Sequence, residues 1–373
     1  MQKNPLKKTG GKNFFSLRAG IILTGAMIGI LASLLGLAGN PVNMGICVAC
    51  FIRDIAGALG LHRAGVVQYL RPEIPAFLIG SFLAALTYGE FKPRGGSSPV
   101  LRFVLGAFAM IGALVFLGCP WRAILRLGGG DLNAIPGIAG LAVGIYIGVW
   151  FLKNGYSLGR SHAMNRAAGI VAPVIMLCLL IAALVKPAFL FTSTKGPGSM
   201  HAAVLISTAA GLAIGWAAQR SRFCTMGAFR DLFLMRDWHL MSGILAFFTI
   251  VLLFNIGTGT FTGSFAAQSV SHSAHLWNIL GMVLAGLAFA LGGGCPGRQV
   301  FLSGEGDSDA FIFFAGMLTG AALAHNFLLA AKPDSLNDGV LTIGGPGSNG
   351  MIAVGVGLIV CLVIGFSMRE HWE

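Results

Sequence analysis

Two cysteines in this sequence sit where a short helix would begin and an anion would be welcome. Cys119 and Cys295 each follow a glycine and precede a proline, in GCPWRAILRLGGGD and GCPGRQVFLSGEGD. Proline is favoured at the first helical position because it has no amide hydrogen to leave unpaired there, so each cysteine is expected to cap a helix start. Backbone amides and the positive end of the helix dipole then point at the thiol's surroundings, which attracts anions and favours thiolate. The preceding glycines let a ligand approach the backbone, while Gly128 to Gly130, and Gly304 with Gly306, would end the half-helices. A plain kink between two spans would look the same in one copy; two copies in register favour a functional turn.

A second pair of cysteines, Cys47 and Cys224, lies six residues before an arginine and an aspartate, in ICVACFIRDI and RFCTMGAFRDL. Superposing Cys47 on Cys224 brings Arg53 onto Arg230 and Asp54 onto Asp231, and nearly the same shift brings Cys119 onto Cys295. The chain therefore contains an internal repeat. Charge among apolar residues is costly unless it is paired or faces a cavity. Arg53, Asp54, Arg230 and Asp231 are accordingly expected to form structural charge pairs, and the four cysteines to face a path, with Cys50, Arg122 and Arg298 as secondary candidates. Cys47 and Cys50 form a CxxC, which admits a redox or metal role. The position equivalent to Cys50 is Gly227, no second CxxC exists, and a four-thiolate zinc site has no support. His272 and His275 are a weak metal candidate, and Cys178 and Cys361, inside apolar runs, are expected in the core. No catalytic group, metal or cofactor is assigned. There is no GxxxxGK[ST] stretch to hold a nucleotide and no chain of carboxylates along a span, so neither an ATP motor nor a proton pump is indicated.

The elements that must position these residues are membrane helices. Charged residues make up 10% of the 373-residue chain, against roughly 25% in soluble domains, while hydrophobic residues reach 55% and mean hydropathy is +0.81. A soluble enzyme domain is excluded. The 55 glycines suit close helix packing. A net charge of +12 could point to nucleic acid, but the basic residues lie in short segments between apolar runs, where they set topology instead. The seven cysteines do not form the closely spaced framework of a disulfide-rich secreted domain and read as free thiols.

About ten spans of roughly the ~20 residues a bilayer requires are predicted at 17–38, 73–89, 100–118, 133–152, 167–191, 200–218, 239–257, 277–292, 310–330 and 349–367. The division is a tail over 1–16, a first transmembrane repeat over 17–192, a connecting loop over 193–199 and a second repeat over 200–368. Lys3, Lys7, Lys8, Lys12 and Arg18 precede the first run, which is span-length without a clear cleavage site and reads as uncleaved. Lys and Arg concentrate in alternate connections, so both termini are expected on the cytoplasmic side, Asn154 with them and Ser271 opposite. Five spans per repeat is an odd number, so the second repeat must run through the membrane inverted. Transporters commonly use this architecture and place the substrate near the midplane, where discontinuous helices meet. The fold class is thus all-α, with short re-entrant half-helices carrying the cysteine motifs.

With NPVNMGICVACFIRD, FCTMGAFRD and the paired GCP turns, nearly the whole chain resembles the YeeE/YedE family of bacterial inner-membrane sulfur-compound transporters. The resemblance implies an hourglass-shaped inverted repeat and thiosulfate passed along cysteines at the constriction. By motif those cysteines are Cys47, Cys119, Cys224 and Cys295. The CxxC departs from the FCTMGAFRD form and looks like the YedE branch associated with selenium metabolism. The family also implies a small cytoplasmic sulfurtransferase of the TusA type as a possible partner. The expected function is transport of a small sulfur or selenium species across the inner membrane; the rivals are a membrane thiol oxidoreductase or sulfurtransferase using Cys47 and Cys50, and a scaffolding subunit.

Overall fold

The computed structural model describes residues 14–266, 268–337 and 340–369. Lys3, Lys7, Lys8 and Lys12 lie outside the described residues. The first half of the chain folds into α1 (Arg18–Leu37), α2 (Val48–Ala58), α3 (Glu73–Thr87), α4 (Pro99–Val115), α5 (Pro120–Gly128), α6 (Ala134–Lys153) and α7 (Arg166–Val185). The second half follows with α8 (Val204–Ser221), α9 (Thr225–Met235), α10 (His239–Gly257), α11 (His275–Gly292), α12 (Pro296–Gly304), α13 (Ser308–Asn326) and α14 (Ser348–Ser367). Two short antiparallel ribbons, Arg94–Gly95 with His162–Ala163 and Ser335–Asn337 with Val340–Thr342, tie connections together.

Every expected apolar segment is helical, but eight stretches among the described residues are long and apolar enough to cross a membrane. These are α1, α4 continued by α5, α6, α7, α10, α11 continued by α12, α13 and α14. The chain is a multi-pass membrane protein. The difference from ten lies in α3 and α8. Helix α3 has 15 residues, about 22 Å at 1.5 Å per residue, short of a ~30 Å hydrocarbon layer. Helix α8 ends in Gln219 and Arg220, which bond to Glu90 at 2.7 and 3.0 Å and lower its apolarity.

Helix pairs recur. Helix α6 packs along α11 as α13 packs along α4, and α3 packs along α8 as α10 packs along α1. Helices α12 and α3 meet in the way that α5 and α10 do. Glycines allow the close approach: a methyl at Gly140 or Gly144 would run into the backbone of Ile279 or Val283, and one at Gly316 or Gly320 into Phe103 or Ala107. The pattern breaks at α7, which packs on α3, α12 and α13, whereas α14 packs on α11, α4 and α6.

Hydrogen bonds between connections gather them at two ends of the bundle. At one end Lys92 donates to Glu305, Met164 to Pro93 and Ser157 to Met368. At the other, Leu132 donates to Ser264, Ser193 to Gln68 and Asp334 to Ser271. The half-helices are short because each is bounded by sequence. Helices α5 and α12 open with proline and close in Gly128 and Gly304, with Gly130 and Gly306 following at φ +91° and +92°, where a side chain would be strained.

Candidate functional site

Each of the four motif cysteines is the N-cap of a half-helix: Cys47 of α2, Cys119 of α5, Cys224 of α9 and Cys295 of α12, all in extended backbone. Two cap with sulfur. The Cys50 amide donates to Cys47 Sγ at 3.3 Å and the Gly227 amide to Cys224 Sγ at 3.2 Å. The other two are followed by Pro120 and Pro296, which leave one amide fewer to satisfy. All four thiols are buried.

The thiols meet in pairs with matching geometry. Cys47 and Cys119 lie with Sγ atoms 3.7 Å apart, as do Cys224 and Cys295. Each pair is made within one half of the chain by two half-helices whose N-termini converge, so two helix dipoles present their positive ends to one sulfur pair. Charge of the sign that would be stabilised there is negative.

Cys50 joins the first pair, its Sγ 2.7 Å from Cys47 Sγ and 3.6 Å from Arg122 Nη1. Arg122 is wholly buried and held by the carbonyl of Leu117, by Asn43 Oδ1 at 3.0 Å and by the Val270 carbonyl at 3.0 Å. Its counterpart Arg298 instead pairs with Glu305 at 3.2 Å and lines a cavity with Cys224. That cavity, about 650 Å³, opens at the end of the bundle that holds Ser16 and Glu90, and Arg222, Arg230 and Arg298 give it a basic wall. A second cavity, about 500 Å³, lies at the opposite end, with Arg53 and Lys332 beside Leu117. Basic walls at both ends raise the local concentration of anions.

The four motif charges pair within their own motifs. Arg53 meets Asp54 at 2.7 Å, with both buried, and Arg230 meets Asp231 at 2.7 Å, with the arginine side chain 36% exposed. Arg71 ties Asp54 to the segment that opens the second half: its Nε reaches Asp54 at 2.8 Å while its other nitrogens donate to the carbonyls of Pro197 and Met200. Arg71 is buried and stacked on Phe51 and Tyr69. Sequence reasoning missed this role, because Arg71 has no counterpart in the repeat; its nearness to Pro72 and an apolar run was the available signal.

Cys361 is buried as expected, but Cys178 is exposed on α7. Lipid and protein interior are equally apolar, so hydropathy does not separate them. His272 is buried against the Val115 carbonyl at 2.8 Å, while His275 is exposed against Phe265. Among the described residues no group of three or more His, Cys, Asp or Glu side chains could hold a metal ion.

No curated protein matches the chain. Residues 220–372, beginning at the second-half cysteine motif and holding α9 to α14, match the family model for sulphur transport.

Proposed function

We propose that the protein is a transporter or channel for a small sulfur or selenium species, a thiosulfate-like anion or a selenium compound, passed along Cys47, Cys119, Cys224 and Cys295. The observation that carries this reading is the pairing of those thiols at four converging half-helix N-termini, with a basic cavity approaching from each end. Thiols are weak donors to an anion, and weak successive sites admit it without trapping it. The sulphur-transport match over residues 220–372 supports the substrate class.

The architecture is ten crossings in two inverted repeats, over 17–192 and 200–368 with a connection at 193–199. Recurring helix pairs and the sorting of connections to two ends support it. Both termini lie on the cytoplasmic side of a bacterial inner membrane, which places the cavity at Cys224 where a TusA-like carrier would deliver or collect sulfur. The test is uptake by proteoliposomes offered thiosulfate, sulfite, selenite and hydrosulfide. Uptake of any of these without reductant or acceptor supports transport, and uptake of none sinks it.

One observation favours a second reading. Cys47 and Cys50 stand with their sulfurs 2.7 Å apart, the placement a thiol oxidoreductase or sulfurtransferase would use. A covalent persulfide on one of them, in protein that carries no anion across, would favour that enzyme.

A further inference from the structure

The first GCP turn carries a residue that the second lacks. Trp121 is two positions after Cys119, and its counterpart after Cys295 is Gly297. The indole is 1% exposed and sits among Phe77, Phe223, Phe247 and Phe301, with ring centroids 5.9 to 6.1 Å away. Phe223 directly precedes Cys224, so one ring from the first motif reaches the neighbours of both cysteines in the second. A methyl built on Gly297 would lie 3.3 Å from Trp121 Cζ2 and 3.5 Å from Cε2, the latter bonded to the indole nitrogen. Tryptophans at both positions would collide; the glycine makes room for the one.

That indole nitrogen is buried with no hydrogen-bond partner among the described residues. A buried tryptophan ordinarily satisfies its N–H, and leaving a donor unmade costs its desolvation. Here it lies by the start of α12, where the dipole already favours an anion. We infer that Trp121 is a specificity-determining residue: its ring closes the space between the two thiol pairs, and its Nε1–H is the donor that a passing oxyanion meets there. The inference rests on the transport reading. An oxyanion such as thiosulfate or selenite brings acceptor oxygens to replace the missing bond. An anion that accepts poorly, such as chloride, pays desolvation without that return.

The test uses the full chain in proteoliposomes. Trp121→Phe keeps a ring and removes the N–H; thiosulfate or selenite uptake, whichever the parent protein carries, should fall about tenfold, and its preference over chloride should fall with it. Gly297→Ala removes no functional group and favours the helix, yet crowds the indole edge, and should also slow uptake. The double variant should be no slower than Trp121→Phe alone, because the smaller ring gives up the crowded edge. Unchanged rate and preference in Trp121→Phe, or losses that multiply in the double variant, would overturn the inference while leaving transport standing. If Trp121→Phe does not fold, a normal rate in Gly297→Ala overturns it. A parent protein that carries neither oxyanion overturns both the inference and the transport of oxyanions.

Discussion

A thiol at a helix start differs from a serine there in polarisability and acidity far more than in size, which makes serine the informative replacement. Serine keeps a hydrogen-bonding hydroxyl and removes the polarisable, more acidic sulfur, so replacing Cys119 or Cys295 with serine should slow uptake about tenfold or more. Serine at Cys178 or Cys361 should leave it within about twofold: Cys178 is on the outer surface of α7 and Cys361 is in the core, neither near a half-helix start. A Cys50→Ser variant that loses all function while the Cys119 and Cys295 variants keep theirs would move the chemistry to the CxxC. The charges divide by burial. Asp54 accepts from both Arg53 and Arg71, so Asp54→Ala strands two buried guanidinium groups and should cost about 3–5 kcal/mol of stability. Arg230 is open to the cavity, so Arg230→Ala should cost under about 1 kcal/mol while slowing anion entry; thermal melting in detergent, beside uptake, separates the two outcomes. The cysteines were legible because they repeat with their neighbours. Trp121 was not, since its partner position is glycine, and Phe77, Phe247 and Phe301 look like any apolar residue of a span until the fold brings them together.

At the scale of elements, half-helices were easier to read than spans. Cysteine, proline and terminal glycine mark both ends of α5 and α12 with residues that have few other uses, whereas α3 and α8 are bounded by where charge and burial happen to fall. Close packing of the long helices depends on glycine at particular turns. Gly144→Ala would push a methyl into the Val283 carbonyl on α11, and Gly320→Ala into Ala107 on α4. Overpacking of this kind costs about 1–3 kcal/mol, and because the two positions are counterparts, both variants should lower the melting temperature by similar amounts. Gly36, on α1, has nothing within 4 Å of where its methyl would go. Gly36→Ala should therefore be neutral or stabilise by up to about 1 kcal/mol through helix propensity. Equal melting temperatures for Gly36→Ala and Gly144→Ala would mean that α6 and α11 do not rely on this contact.

For the whole molecule, the arrangement turns on parity. In the proposed arrangement, five crossings per repeat would invert the second copy and send α2 and α5 inward from one end and α9 and α12 from the other. An even number would stack all four half-helices on one side and leave no central meeting point. Connections at 88–98, 154–165 and 305–307 bond to one another, and those at 59–72, 129–133, 186–203 and 258–274 bond at the far end. Asn154 belongs to the first group, and the second has no Lys or Arg between Gly257 and His275. Ser271 is a poor reporter site because it is buried and accepts from Arg126 at 2.6 Å; Thr260, exposed in the same connection, serves without breaking that bond. Cysteines introduced at Asn154 and Thr260, probed in intact cells with a membrane-impermeant maleimide, should label at Thr260 and stay protected at Asn154 until the membrane is opened. Labelling at both from outside would place the two connections on one face, make the crossings between them even in number, and remove the geometry that lets the Cys47–Cys119 and Cys224–Cys295 pairs approach one centre from opposite sides.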